Sequence, residues 1–323
     1  MTNTRVEAFA PASMANLGVG FDILGLALSE PGDRVIAEWH DEPGVTIVEI
    51  TGDNGKLPRA ADKNTASVAA LSVLKAIAAL QGVTRGVALT IHKDLPLASG
   101  LGSSAASAVA AAVAVNGLFG APLAQRDLLP ACLDGEALVS GYHADNVAPS
   151  LLGGITLICG TDIHQILPMP SPQNLHFALV TPNVAVPTSE ARAVLPQNVP
   201  LKSMISQTSA IAQLIDALYR SDIQAIGEIV EADTIIEPAR AHLMPLLHEA
   251  RAAAKQAGAY GLVISGAGPT LCAICDSREV GSRAAAAMQA LYDDAGIGAV
   301  SRCTTVRTEG AAVVSSQAVS SVS

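Results

Sequence analysis

The chain has 323 residues, half of them hydrophobic but only 3% aromatic, and a formal charge of −10. It is long enough for two domains with cores of their own, and those cores must be built from Ala, Val, Leu and Ile. The negative charge and the lack of any lysine or arginine cluster exclude nucleic acid and anionic membrane as partners. Any phosphate must be held by backbone amides, a metal and a few placed arginines.

The opening MTNTRVEAFAPASMANLG has no basic stretch followed by an apolar one, so no secretory signal is expected. The longest apolar run, Ala108 to Val115, is too short and alanine-rich to span a bilayer. Five cysteines, at 132, 159, 272, 275 and 303, fit reduced thiols in the cytoplasm better than a disulfide framework. Cys272 and Cys275 have CxxC spacing but lie in a strand-like run. Positions i and i+3 of a strand point to opposite faces, so the two thiols are not expected to share a metal.

In chain order, residues 34–50 read as two strands joined by a Glu-Pro-Gly turn. Residues 64–81 have helical apolar spacing, with Asp62 or Asn64 as cap and Gly82 as stop. A strand is expected over 86–92, then the loop KDLPLASGLGSS, then helices over 104–118 and 124–141 and a strand over 153–160. A proline-rich joint near 165–175 opens a second unit, with strands over 177–182, 262–265, 271–275 and 299–306. Helices are expected there over 203–220, 222–233, 245–256 and 280–295. The pattern implies an α+β protein of two layers and two domains, 1–165 and 166–309. The small, uncharged residues 310–323 are expected to be a disordered tail.

The stretch PLASGLGSSAA, Pro96 to Ala106, raises the question of function. At a helix amino terminus several amides lack partners and the dipole is positive. Gly100 and Gly102 would let backbone approach an anion, and Ser103 and Ser104 add hydroxyls for a phosphate oxygen or Mg2+. A plain turn with a serine cap is the alternative. It is no Walker A loop, since no lysine follows the second glycine. Gly100-x-Gly102-x-x-Ala105 matches a dinucleotide fingerprint in letters alone, because seven residues separate it from the strand and Pro96 excludes a central strand.

These residues closely resemble the nucleotide loop of the GHMP small-molecule kinases. Two further family elements follow the same order: Pro11 to Asp22 (PASMANLGVGFD) and Gly261 to Thr270 (GLVISGAGPT). Within the family, ANLGVGFDILGLAL, SGYHADNVAPSLLGG (Ser140 to Gly154), PTSEAR with Leu195 and Pro196, and Glu237-Pro-Ala-Arg240 are similar to the homoserine kinase branch. The resemblance covers roughly residues 5–307. It implies the two-domain GHMP kinase fold, with an N-terminal ribosomal-protein-S5-like domain and a C-terminal ferredoxin-like αβ domain.

It also implies Mg2+-dependent phosphoryl transfer from ATP to L-homoserine, a step in threonine biosynthesis, in a cytoplasmic protein that is a homodimer. By the resemblance, ATP is held by Asn64 and by Pro96, Leu97, Ala98, Ser99, Gly100, Leu101, Gly102, Ser103, Ser104, Ala105 and Ala106. Ser104 and Glu136 hold Mg2+, one hydroxyl and one carboxylate sufficing for an ion that keeps several waters.

A zwitterionic substrate wants guanidinium for its carboxylate, for which Arg192 and Arg240 are candidates. Its ammonium wants Asp22 or Asn16, and His143, Asn146 and Thr188 complete the pocket. His143 could equally be a structural histidine, Asn16 a turn residue and Glu136 a solvated helix carboxylate. Relatives with an aspartate base carry it in the segment where Asn146 stands here. An amide accepts no proton usefully, so Asn146, Arg192 and Asp22 are expected to catalyse by positioning, with Asp22 and Asp145 as fallback bases. Only Tyr142 separates Gly141 from His143, one residue fewer than the family pattern. Two rivals stay open: another GHMP kinase acting on mevalonate or a sugar, and a non-catalytic sensor of the same fold.

Overall fold

A computed structural model describes residues 3–318. Its first sheet begins with β1 (Asn3–Ala15), β2 (Leu24–His40) and β3 (Val45–Thr51). Then come α1 (Thr65–Gln81), β4 (Gly86–His92), α2 (Ser103–Leu118), α3 (Leu129–Glu136) and α4 (Ala144–Leu152). β5 (Ile155–Ile158) and β6 (Ile166–Met169) follow. The second unit runs β7 (His176–Pro182), α5 (Thr188–Ala193), α6 (Leu201–Arg220), α7 (Ile223–Val230), α8 (Ile236–Arg240) and α9 (Leu247–Gln256). It continues with β8 (Gly261–Ile264), β9 (Leu271–Cys275), α10 (Arg278–Asp294) and β10 (Ala299–Thr305). A last strand, β11 (Ala312–Ala318), returns to the first sheet.

The first sheet has the order β11-β1-β2-β4-β3, with β5 on β2 and β6 on β5. The two strands expected over 34–50 form, but they are not neighbours. β4 lies between them, antiparallel to β2 and parallel to β3. The expected helix over 124–141 is shorter: a 3-10 turn leads into α3, whose start is fixed by Pro130 and which ends at Glu136. β6 pairs with β5, so the first sheet reaches Met169, past the expected boundary at 165.

The tail expectation is overturned in part. Residues 312–318 pair antiparallel with β1 from Asn3 to Phe9. β1 offers an open edge there, and Val313 and Val314 give the tail enough strand propensity to take it. Residues 319–323 lie outside the described residues.

The second sheet is antiparallel with the order β10-β7-β9-β8, crossed over by helices between β7 and β8 and between β9 and β10. That is the ferredoxin-like arrangement. One hydrophobic cluster runs through the first domain and continues onto one face of this sheet beneath α6 and α7, while a smaller cluster fills the other face under α9 and α10. Cys272 belongs to the first cluster and Cys275 to the second, on opposite faces of β9. Among the described residues no helix is long and apolar enough to cross a membrane.

α2 positions the site. Its residues from Ala105 to Asn116 are buried on all sides, because it runs between β1 and β2 and the helices α1, α3 and α4. The small alanine side chains let backbones approach closely, and a helix apolar all round is one surrounded by protein. Its amino end opens into the cavity described next.

Candidate active site

A cavity of about 400 Å3 lies between the two domains, lined by the glycine loop, the 15–22 loop, α4, α5, Arg240 and the 266–267 turn. β4 ends at His92, and the chain turns through Lys93 to Ser99 before α2 starts. Gly100 and Gly102 have φ of +78° and +64°, a region that costs other residues strain. Their missing side chains serve a purpose the sequence did not reveal. A Cβ on Gly100 would stand 2.3 Å from the Ser265 carbonyl oxygen, and one on Gly102 2.1 Å from Ser13 Oγ. The glycines let the three family motifs close on one another. Ser265 Oγ donates to the Gly100 carbonyl at 2.7 Å, and Thr270 N–H donates to the Ser99 carbonyl at 3.2 Å. The first-turn amides of α2 have no helical acceptors, and Ser103 and Ser104 line the cavity.

Beneath the loop lies a buried ion pair that the sequence reading missed. Lys93 Nζ donates to Asp33 Oδ2, to the Ser103 carbonyl at 2.8 Å and to Ser107 Oγ at 2.7 Å. Asp33 also accepts from Ser107 Oγ at 2.8 Å and from the backbone of Asp94 and Leu95 at 3.1 and 3.2 Å. Burial pushes the Lys93 ammonium down, and Asp33 pushes it back up. The network fastens β2, the end of β4 and the first turn of α2 together. Lys93, just ahead of the glycine loop, was the one signal available; its partner lies 60 residues away.

Beside the loop, Glu136 and Ser104 line the same cavity. Glu136 is buried; Ser140 Oγ donates to its Oε1, and its Oε2 has no hydrogen-bond partner among the described residues. Burial pushes its carboxyl up, while the hydroxyls of Ser140 and Ser104 and the Lys93 charge pull the other way. The short link from α3 to α4 does not remove Glu136 from the site. Among the described residues no cluster of three or more His, Cys, Asp or Glu side chains forms.

At the other end, Arg192 Nη2 and Nη1 donate to Asp22 Oδ1 and Oδ2 at 2.8 and 3.1 Å. Arg240 is buried, with Nε on the Ala191 carbonyl at 2.9 Å and Nη1 on the Gly266 carbonyl at 3.0 Å. Both guanidiniums stand over the Phe21 ring, at 5.6 and 5.1 Å. Burial first, and then Arg192, bring Arg240 down to about 10, so it stays charged at neutral pH. His143 Nδ1 lies 3.9 Å from Asp22 Oδ2; burial first, and then Arg192, push it down. Asp145 is pushed up to about 7 by burial first and by Asp22 next. Thr188 starts α5 at the cavity wall.

The structure thus brings Asn16, Asp22, His143, Asn146, Thr188, Arg192 and Arg240 to the wall of the same cavity as Asn64, Leu97 to Gly100 and Gly102 to Ser104. Four loop residues do not line it. Leu101, Ala105 and Ala106 are in the core, and Pro96 is exposed outside. Asn16 has both amide ends engaged, donating to the Gly266 carbonyl at 2.9 Å and accepting from Asp22 N–H at 3.1 Å, so it braces the loop that carries Asp22. Asn64 caps α1 through Ala66 N–H and donates to the Pro58 carbonyl.

The GHMP kinases N terminal domain model matches residues 65–154, and the GHMP kinases C terminal model residues 214–294. A homoserine kinase of Chlorobium phaeobacteroides (strain BS1) is 42% identical over 294 residues, covering 89% of this chain and 92% of that protein. One from Arabidopsis thaliana is 42% identical over 283 residues, 85% of this chain and 75% of that protein. The crystal structure of homoserine kinase from Cytophaga hutchinsonii superposes with a TM-score of 0.91 at 40% identity, covering 96% of this chain and 98% of that one.

Proposed function

The chain belongs to the GHMP kinases, and from that premise we propose that it is a homoserine kinase, transferring the γ-phosphoryl group of ATP to L-homoserine to give ADP and O-phospho-L-homoserine on the way to threonine. The observation that carries this reading is the charge pattern at the acceptor end. Two guanidiniums and one carboxylate converge there, Arg192, Arg240 and Asp22, matching the carboxylate and ammonium of one zwitterion. A sugar or mevalonate has no ammonium to offer Asp22.

ATP would lie with its phosphates against the amino end of α2 and the cavity-lining part of the glycine loop, Leu97 to Gly100 and Gly102 to Ser104, which would hold it through backbone amides. Ser104 and Glu136 would hold Mg2+, which when bound neutralises phosphate charge. The unpartnered, buried Oε2 of Glu136 supports that fit. Asp22 and Arg192 now satisfy each other, so the substrate would open their pair, its ammonium replacing the guanidinium and its carboxylate taking Arg192 and Arg240. His143 and Thr188 would close the pocket walls. Asn146 would stand nearest the acceptor hydroxyl, with catalysis resting on alignment and charge neutralisation.

We further propose that the protein is cytoplasmic, a reading supported by five unpaired cysteines, and a homodimer, a reading supported by the resemblance alone; light scattering tests the dimer. The function is tested by coupled ADP release with homoserine, mevalonate and galactose. Turnover with homoserine alone is expected. Turnover with either rival acceptor and none with homoserine would overturn the reading, and no ADP release with any would favour a sensor.

A further inference from the structure

Ser13 touches two parts of the site at once. It lies on β1, fully buried, and its backbone N–H donates to the Leu101 carbonyl at 3.2 Å, holding the glycine loop. Its hydroxyl donates to Asn146 Oδ1 at 2.9 Å, holding the first turn of α4. A primary amide has one accepting and one donating end. With Oδ1 tied to Ser13 on the protein side, the Nδ2 end has no hydrogen-bond partner among the described residues, and Asn146 lines the cavity. Gly102 leaves the room this needs: a Cβ there would stand 2.1 Å from Ser13 Oγ and 2.9 Å from Asn146 Oδ1.

We propose that Ser13 is a positioning residue for phosphoryl transfer, locking the Asn146 amide so that its N–H donor meets the acceptor hydroxyl. The hydroxyl oxygen then accepts one hydrogen bond from Nδ2 and keeps its other lone pair for the γ-phosphorus. The bond from that oxygen to phosphorus forms, the bond from phosphorus to the departing ADP oxygen breaks, and the hydroxyl proton passes to a phosphoryl oxygen. Asn146 takes no proton, because the end that could accept one is already engaged. Ser13 also couples alignment of the acceptor to the position of the loop, since both hang from one residue. This rests on the homoserine kinase reading for its acceptor.

The test is a double-mutant cycle on Ser13→Ala and Asn146→Ala, with a spectroscopic arm that needs no turnover. Losing one aligning hydrogen bond, Ser13→Ala should lower kcat roughly tenfold while KM for ATP and homoserine stay within about twofold. In the Asn146→Ala background, Ser13→Ala should change nothing further. Additive losses, or unchanged kcat in Ser13→Ala, would overturn the proposal. If Ser13→Ala does not fold, Ser13→Cys keeps the volume and weakens the donor, and is read the same way.

If the wild-type protein leaves homoserine untouched, the function falls and the proposal is judged by NMR with 15N-asparagine. The side-chain NH2 pair of Asn146, identified by its loss in Asn146→Ala, should shift and its rotation quicken when Ser13 is replaced. An unchanged pair would overturn the proposal whatever the acceptor.

Discussion

Asp22 and Arg192 close on each other across the acceptor end of the cavity, joined by two hydrogen bonds of 2.8 and 3.1 Å. They lie 170 residues apart, Asp22 in the loop between β1 and β2 and Arg192 on α5. Both side chains are about two-thirds covered, so the pair is neither a screened surface contact nor a sealed one.

A ligand must therefore offer both charges to replace what it displaces. We expect 4-hydroxybutyrate, which lacks the ammonium, and 3-aminopropanol, which lacks the carboxylate, each to lose at least roughly 100-fold in kcat/KM against homoserine, two charge-assisted hydrogen bonds being worth about 3 kcal/mol. Arg192→Leu should raise KM for homoserine by a similar factor and leave KM for ATP alone. Competition assays with the two analogues check the first expectation, and steady-state kinetics on both substrates the second.

The buried pair of Lys93 and Asp33 predicts a stability effect and a binding effect together. Lys93→Met leaves Asp33 charged and unpaired in the interior, which should cost about 3–5 kcal/mol. It also frees the first turn of α2, so KM for ATP should rise. Urea denaturation and ATP titration of the same variant check both. A variant with wild-type stability would show that the ion pair does not fasten the loop.

Gly100→Ala meets the Ser265 carbonyl at 2.3 Å and sits at a φ of +78°. Strain at the left-handed position and the forced movement of the 265–268 turn should together cost about 2–4 kcal/mol. The loop should shift away from the third motif, and ATP affinity should fall. Calorimetric measurement of Tm and of nucleotide binding checks this.

Asp145 makes stability depend on pH in an unusual direction. Its folded value is pushed up to about 7, above its usual 3.8. Between these values the folded chain keeps a proton that the unfolded chain has released. Stability from this group is present below the unfolded value and is lost as pH rises toward 7, by up to roughly 4 kcal/mol. Asp145→Asn should remove that slope, which urea melts from pH 4 to 8 would reveal. The same variant should keep kcat within about tenfold, because alignment and not proton abstraction drives transfer. Collapse of kcat in a folded Asp145→Asn protein would make Asp145 the base.

What the sequence made legible was what is local. Asn64 and Gly82 bound α1 as expected, because a cap needs only neighbours: Asn64 accepts from Ala66 N–H, and Gly82 N–H donates to the Ala78 carbonyl. The glycine loop was readable for the same reason. β1 escaped notice because Pro11, Ser13 and its alanines have little strand propensity; long pairing on both sides imposes the strand. The insertion of β4 between β2 and β3, the return of residues 312–318 to β1 and the Lys93–Asp33 pair all join segments distant in the chain. Within the site, most of the residues singled out from the sequence line one cavity, but their partners were not legible. Asn16 spends its amide on Gly266 and Asp22, and the glycines of the loop yield space to Ser13 and Ser265.

The central claim is that the amino end of α2 and its glycine loop grip the nucleotide's phosphates. A crystal structure with a non-hydrolysable ATP analogue, Mg2+ and homoserine tests it most directly. The account predicts the phosphates against the amides of residues 100–105, the ion on Ser104 and Glu136, and the amino acid between Asp22 and the two arginines. A triphosphate seated elsewhere, with those amides facing only water, would contradict it.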